Sequence, residues 1–241
     1  MGDNYVYVID CGGRCAFAVD PGQSSGVLDI LQEKQLHLAA VLVTHHHIDH
    51  IGGIDDLKKR TGCQVIAADP VRLPFADRIV AGGEDFYIGN VLINVISTPG
   101  HTSSSVCYLA KTAEGPPMLF TGDTMFVNGC GRIFESDAAT MRASIQRLAS
   151  LPDETEVYCG HDYTVENYEF AITITPKDTE LAERLDQIRQ TEPKVPSTIG
   201  LEKRFNPFLR TDHPEIAAGV GLENAPLDAV FAELRRRKDL L

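Results

Sequence analysis

Hydrophobic and polar positions alternate in short stretches through the first two thirds of the chain. Residues 5–9 and 15–19 are β-prone runs joined by Gly12-Gly13, which predicts a hairpin, and the second run stops at the turn Asp20-Pro21-Gly22. Ser24 or Ser25 can cap a helix whose apolar residues Val27, Leu28, Leu31 and Leu36 keep an approximate helical spacing. Residues 38–43 are continuously apolar, as a strand buried on both faces requires, and the run ends at a cluster of histidines. Helical spacing resumes after Gly52-Gly53. Further strands are expected over 64–68, 91–97, 106–109, 118–120 and 156–159, with a helix over 138–148. Such alternation predicts α/β layers. From about Val165 the strand pattern stops, and helices are expected over 179–190, 215–220 and 227–238, punctuated by Pro193, Pro196 and Pro207. The chain therefore divides into an α/β body, residues 1–164, and a small helical domain, residues 165–241.

Composition narrows the class. At 241 residues with 43% apolar content, the chain can bury a proper core, so neither disorder nor a disulfide-stapled scaffold is expected. A formal net charge of -12 disfavours nucleic acid and anionic membrane surfaces, which need an excess of Lys and Arg. That charge is uneven: residues 1–164 carry 20 acidic and 11 basic side chains, residues 165–241 carry 14 and 11. The six cysteines lack paired short spacings, apart from Cys11 and Cys15 around Gly12-Gly13, and are expected to be reduced thiols, several of them buried. No apolar run is long enough to span a membrane, and the start lacks the basic and apolar regions of a secretion signal, so a cytoplasmic location is expected. Gly2 does not extend to an acylation signal, because Val6 stands where Ser or Thr is needed.

The chemistry concentrates after the buried strand, where residues 45–50 hold His45, His46, His47, His50 and Asp49. Imidazole plus carboxylate is the donor set that borderline divalent metals prefer. If the backbone stays extended past Val43, His45 and His47 face one side and His46 the other, while Asp49 and His50 at the turn into a helix can face a second point. One segment thus offers donors to two ions. Isolated donors recur at other strand ends: His101 after Thr98-Pro99-Gly100, Asp123 after Gly122, and His161 after Gly160. Each lies where α/β layers place their ligand-binding loops.

These motifs resemble the metallo-β-lactamase superfamily, whose T-H-x-H-x-D-H signature stands at residues 44–50, and within it the glyoxalase II (hydroxyacylglutathione hydrolase) family. The likeness runs along the chain through D-N-Y at residues 3–5, V-D-P-G at 19–22, T-P-G-H-T at 98–102, G-D-T at 122–124, G-C-G-R at 129–132, C-G-H-D-Y-T at 159–164, N-P-F-L-R at 206–210 and R-x-x-K-D at 235–239. It implies a four-layer αββα sandwich with a C-terminal helical domain. Position by position it implies one metal on His45, His47 and His101, a second on Asp49, His50 and His161, and Asp123 bridging both. His46 has no ligand role, and His37 and His213 match nothing. Asp20 reads equally as a group that orients the metal loop or as a plain turn residue.

The implied reaction is hydrolysis of glutathione thioesters, S-D-lactoylglutathione giving D-lactate and glutathione, as in methylglyoxal detoxification. Two ions sharing a carboxylate lower the pKa of the water between them, so a bridging hydroxide, held with Asp49 and Asp123, can attack the thioester carbonyl. The ions are expected to be zinc, with iron or manganese compatible with the same donors. The resemblance puts the groove for the anionic glutathione carrier at Arg132, Phe134, Tyr163, Asn167, Arg235 and Lys238, with Arg236 and Arg237 left as surface. Ser104-Ser105 replaces the Gly-His of many relatives, and Glu169 stands where many have Lys. The partner is a small molecule and the chain is expected to be a monomer. Competing readings on the same residues are a mononuclear iron enzyme of the persulfide dioxygenase type, another hydrolase of this fold acting on lactones or β-lactams, and a non-catalytic zinc-stabilised binding module.

Overall fold

A computed structural model describes residues 4–241 of the protein; Gly2 and Asp3, named above, lie outside the described residues. The chain opens with β1 (Tyr7–Gly12) and β2 (Cys15–Val19), paired antiparallel as the hairpin signal predicts. Helix α1 (Ser25–Lys34) leads to β3 (His37–Leu42), and α2 (Ile48–Ile51) and α3 (Ile54–Thr61) lead to β4 (Gln64–Ala67) and the short β5 (Arg78–Ile79). These strands form a sheet in the order β1-β2-β3-β4-β5. Ser24 does not cap α1 through its side chain; its Oγ donates instead to Asp56 Oδ2 at 2.6 Å.

The second sheet takes β6 (Asp85–Ile88), β7 (Val91–Ser97), β8 (Val106–Lys111) and β9 (Met118–Gly122). A small hairpin follows, β10 (Met125–Phe126) with β11 (Gly129–Cys130), then α4 (Ala138–Ala149) and β12 (Glu156–Cys159). The C-terminal part holds α5 (Thr164–Ile174), α6 (Thr179–Ile188), β13 (Ser197–Thr198), α7 (Ile199–Phe205), α8 (Pro214–Gly219) and α9 (Leu227–Lys238). The sheet runs β13-β12-β9-β8-β7-β6. The expectation that strands cease after residue 165 is therefore corrected at one place: Ser197 and Thr198 pair antiparallel with Val157 and Glu156, so the tail adds an edge strand to the body. A two-residue strand between prolines carries no period-2 signal.

Side chains along each strand alternate between faces and so sort the layers. Ala16 and Ala18 of β2 pack with Val27, Leu31, Ile54 and Leu57 of α1 and α3. Phe17 and Val19 face the other sheet and meet Tyr108 and Phe120. On the far side, Cys107 and Leu109 pack against Met141, Ile145, Phe231 and Leu234 of α4 and α9. The result is the expected αββα sandwich. Helices α5 and α6 add their own cluster, Tyr168, Ala171, Leu181 and Leu185, against Phe126 and Cys159 at the site end. Among the described residues no helix is long and apolar enough to cross a membrane.

Candidate metal centre and substrate groove

Four segments deliver the candidate donors, each just beyond a strand. Past β3 the chain bends at Thr44 and is extended at His47, and His45 Nε2 comes within 3.1 Å of His47 Nδ1. His46 turns the other way, to Arg72 and Glu135, as the alternation requires. His101, beyond β7, places Nε2 3.0 Å from His47 Nδ1 and completes a triad with His45 and His47. Helix α2 turns Asp49 and His50 toward His161, which follows β12. In this second triad His161 Nε2 lies 3.3 Å from both His50 Nε2 and Asp49 Oδ2. Asp123, beyond β9, joins the two: its Oδ2 is 3.4 Å from His101 Nε2 and from His161 Nε2, and its Oδ1 is 3.3 Å from His50 Nε2. The glycine before His161 is a steric requirement, since a Cβ at Gly160 would sit 2.5 Å from Asp123 Oδ1 and 2.8 Å from His50 Cε1.

The donor set fits divalent ions. A tetrahedral ion with nitrogen ligands at about 2.0–2.1 Å has ligand–ligand edges of about 3.3–3.4 Å. The edges here run from 3.0 to 3.6 Å, ion-sized hollows rather than packed contacts. The outer nitrogens are already committed. Arg132 O accepts from His101 Nδ1 at 2.8 Å, and Asp20 Oδ2 accepts from His50 Nδ1 at 3.0 Å. Thr44 Oγ1 gives its proton to Asp20 Oδ2 at 2.5 Å, so it accepts from His45 Nδ1 at 3.0 Å. The rings of His45 and His101 are thus fixed in the tautomer that points a lone pair of Nε2 into the site, and Asp20 fixes the orientation of His50. Asp20, buried and also accepting from Thr44 N, therefore orients the metal loop and is more than a turn residue.

The electrostatics divide the histidines. Burial drives the pKa values of His45 and His101 down, which keeps them neutral, the form that can bind a cation. Burial opposes charge on Asp123 and His50 as well, but the attraction between the two, with His161 beside Asp123 and Asp20 beside His50, outweighs it. Asp123 is held well below the carboxylate range and His50 well above the imidazole range. Asp123 Oδ1 is buried and accepts no hydrogen bond, a costly state for a carboxylate unless a cation faces it.

Every residue expected in the carrier groove lines one cavity of about 700 Å³ that is continuous with the centre. Phe134 rests its ring 5.2 Å from His101 and 5.7 Å from His47, and Tyr163 stacks on His161 at 5.1 Å. Arg132 is largely exposed at the lip, near Asp239. Lys238 donates to the Glu166 carbonyl at 2.9 Å, and burial lowers its pKa. Two of the set have further duties. The Asn167 amide donates to Val127 O at 3.0 Å, and buried Arg235 donates to Cys130 O at 2.6 Å while pairing with Asp239 at 2.9 Å. Arg237 is not plain surface: it caps the end of α8 through Gly219 O and Val220 O. Spacing alone did not assign a role to Asn4, which donates to Asp49, or to Glu202, buried beneath the β10–β11 hairpin. Asn4 lies in a motif that the sequence displays; Glu202 is one glutamate in a polar helix face and gives no signal. No cysteine is a donor, and five of the six free thiols are buried.

Comparison with known proteins agrees with this geometry. Residues 2–161 match the family model described as Metallo-beta-lactamase superfamily, and residues 162–241 match Hydroxyacylglutathione hydrolase C-terminus. The chain is 44% identical to a hydroxyacylglutathione hydrolase of Methylococcus capsulatus, over 99% of this chain and 94% of that protein. It is 45% identical to one of Halorhodospira halophila, over 99% and 96%. Among solved structures, ETHE1 from Myxococcus xanthus superposes with a TM-score of 0.65 at 28% identity, covering 98% of this chain and 94% of that one. The BLEG-1 B3 metallo-beta-lactamase gives 0.64 at 26%, covering 86% and 94%. A triad of three histidines and a triad of two histidines and an aspartate, joined by Asp123 on an αββα sandwich with this C-terminal part, accord with those matches, and the chain belongs to the hydroxyacylglutathione hydrolase family of the metallo-beta-lactamase superfamily.

Proposed function

We propose that the protein hydrolyses glutathione thioesters, S-D-lactoylglutathione foremost, to the free hydroxy acid and glutathione. The observation that carries this is the continuity of one cavity from the two triads to Lys238 at the end of α9: a hydrolytic centre at one end, an anion-seeking amine at the other. The substrate is a small molecule, and its carrier end is anionic. His45, His47 and His101 would hold one divalent ion, Asp49, His50 and His161 the other, with Asp123 shared; we assign zinc to both from the nitrogen and oxygen donors. Bound there, the pair supplies an activated water and an electrostatic sink for the charge that develops on the acyl oxygen.

The protein's own groups do the rest. Lys238 and Arg132 draw the carrier carboxylates into the groove, and the charge of Arg235 in the cavity wall adds to the field. Phe134, edge-on to His47 and His101, and Tyr163, flat on His161, wall the acyl end and limit water. Asp123 fixes the separation of the two triads, and Asp20 keeps His50 in register with it. A thiolate leaves without a proton donor, consistent with the strand-end histidines all being spent as ligands. The seven donors around two points favour this over a single-iron oxidative reaction or a structural zinc module. The test is steady-state hydrolysis, by loss of thioester absorbance, on lactoylglutathione beside a lactone and a β-lactam. Turnover confined to the glutathione thioester supports the reading; turnover of either ring substrate alone refutes it.

A further inference from the structure

Three buried histidines of the centre are held by partners from the body of the fold: Thr44 for His45, Asp20 for His50 and the Arg132 carbonyl for His101. Asp49 differs. Its side chain is 33% exposed, against 1% for His50 and 10% for Asp123, so packing alone does not fix its rotamer. What restrains it is Asn4, on the segment that precedes β1. The Asn4 amide donates to Asp49 Oδ2 at 3.2 Å and to the Asp49 carbonyl at 3.3 Å, so both of its N–H groups serve one residue. The segment is itself seated on the loop of another ligand: Asn4 forms a β-bridge with His161, Tyr5 N donates to Gly160 O at 2.9 Å, and the Tyr7 hydroxyl donates to Cys159 O at 2.5 Å.

We propose that Asn4 is a positioning residue for the second metal site: it clamps Asp49 in the pose that faces His50 and His161, and so sets the affinity of that site without touching the first. Oδ2 is the oxygen that approaches His161 Nε2 at 3.3 Å and His50 Nε2 at 3.6 Å, and it is the oxygen that Asn4 holds. A carboxylate that must be ordered on binding loses affinity to the entropy of its rotamers, whereas one already pinned does not. Removal of a group that orients a metal ligand typically weakens the metal by about 10- to 100-fold. The hydrogen bonds of Asn4 go to Asp49 and not to the His45, His47 and His101 triad, so the affinity of that triad is independent of the clamp. This inference rests on the two-ion reading of the centre above.

The test is zinc binding rather than turnover. Metal-stripped wild type, Asn4→Ala and Asn4→Leu are titrated with zinc against a chromophoric chelator, and the two dissociation constants per chain are resolved. Both variants keep the backbone bridge to His161, so the metal-free melting temperature should stay close to that of wild type. One dissociation constant is expected to weaken by about tenfold or more while the other stays within about twofold. Two unchanged constants, or two that weaken together with a lowered melting temperature, overturn the proposal. If wild type itself binds a single zinc, the two-ion reading fails instead, an outcome seen in the control before any variant is compared.

Discussion

Glu202 offers a quantitative test of how the helical part is locked to the site. It lies in α7, 2% exposed, and three groups converge on its carboxyl: Ser197 Oγ at 2.5 Å on Oε1, and Asn128 N and Asn206 Nδ2, both at 2.8 Å, on Oε2. Asn128 sits in the β10–β11 hairpin, and Asn206 Nδ2 also reaches Gly129 O, so one carboxyl joins the tail to the hairpin that leads to Arg132. Glu202→Ala strands Ser197 Oγ and Asn128 N, while Asn206 keeps Gly129 O; at about 1–3 kcal/mol for each buried unsatisfied group, the variant should lose about 2–6 kcal/mol. Glu202→Gln keeps one oxygen for Asn128 and Asn206 and offers N–H to the Ser197 hydroxyl, so it should cost about 1 kcal/mol or less. Burial pushes the Glu202 carboxyl up to about 7 from an ordinary 4.5, despite the donors around it. Raised in the fold, this pKa gives stability that is complete below 4.5 and lost as pH rises through 7. At about 1.4 kcal/mol per pH unit the loss approaches about 3 kcal/mol by pH 8. Urea unfolding at pH 4.5 to 8 should therefore show wild type losing about 3 kcal/mol relative to Glu202→Gln. A constant difference across that range, or a Gln variant as unstable as Ala, refutes the reasoning.

Other consequences follow from the groove and the loops around it. Lys238→Ala should raise KM for the glutathione thioester by roughly 10- to 100-fold, the cost of about 1.5–3 kcal/mol for a charged hydrogen bond, with kcat little changed; steady-state kinetics check this, and an unchanged KM contradicts the clamp. Gly160→Ala, by driving a methyl against Asp123 and His50, should weaken metal by about 10-fold or more while leaving the sandwich folded, read by elemental analysis alongside circular dichroism. Arg72 bridges the loops beside the first triad, through Glu135 at 2.7 Å, His46 at 3.2 Å and Ser103 at 3.2 Å. Arg72→Met should therefore keep full metal content yet raise KM by roughly fivefold, about 1 kcal/mol for a partly exposed network, through a loosened Phe134 wall; lost metal would show that the knot holds ligands rather than the wall.

What the chain discloses in advance follows from how local the signal is. β3 and the donors behind it were legible because a run of residues buried on both faces ends abruptly at imidazoles, and alternation alone separates His46 from its neighbours. The lone donors His101, Asp123 and His161 became legible only together, each behind a strand and a turn. The short strands β5, β10, β11 and β13 escaped because two residues hold no period, and the four-residue β6 and helices α5 and α7 were not singled out. Helix α5 buries polar Thr164 and Asn167 on the same face as Tyr168, Phe170, Ala171 and Ile174, which blurs its apolar spacing, and α7 is only seven residues long. Pair-specific roles also lay out of reach. That Arg237 caps α8, that Arg235 holds Cys130, or that Asn4 finds Asp49 depends on contacts between residues 17, 105 and 45 positions apart, respectively.

The central claim is that turnover belongs to a pair of ions held by His45, His47 and His101 and by Asp49, His50 and His161, with Asp123 between them. The most direct measurement titrates metal-stripped protein with zinc and follows lactoylglutathione hydrolysis and bound metal in the same samples. Activity should reach its plateau at two zinc per chain, with Asp123→Ala failing to reach it at any loading. Full activity at one zinc per chain, or none on any glutathione thioester at two, would contradict it.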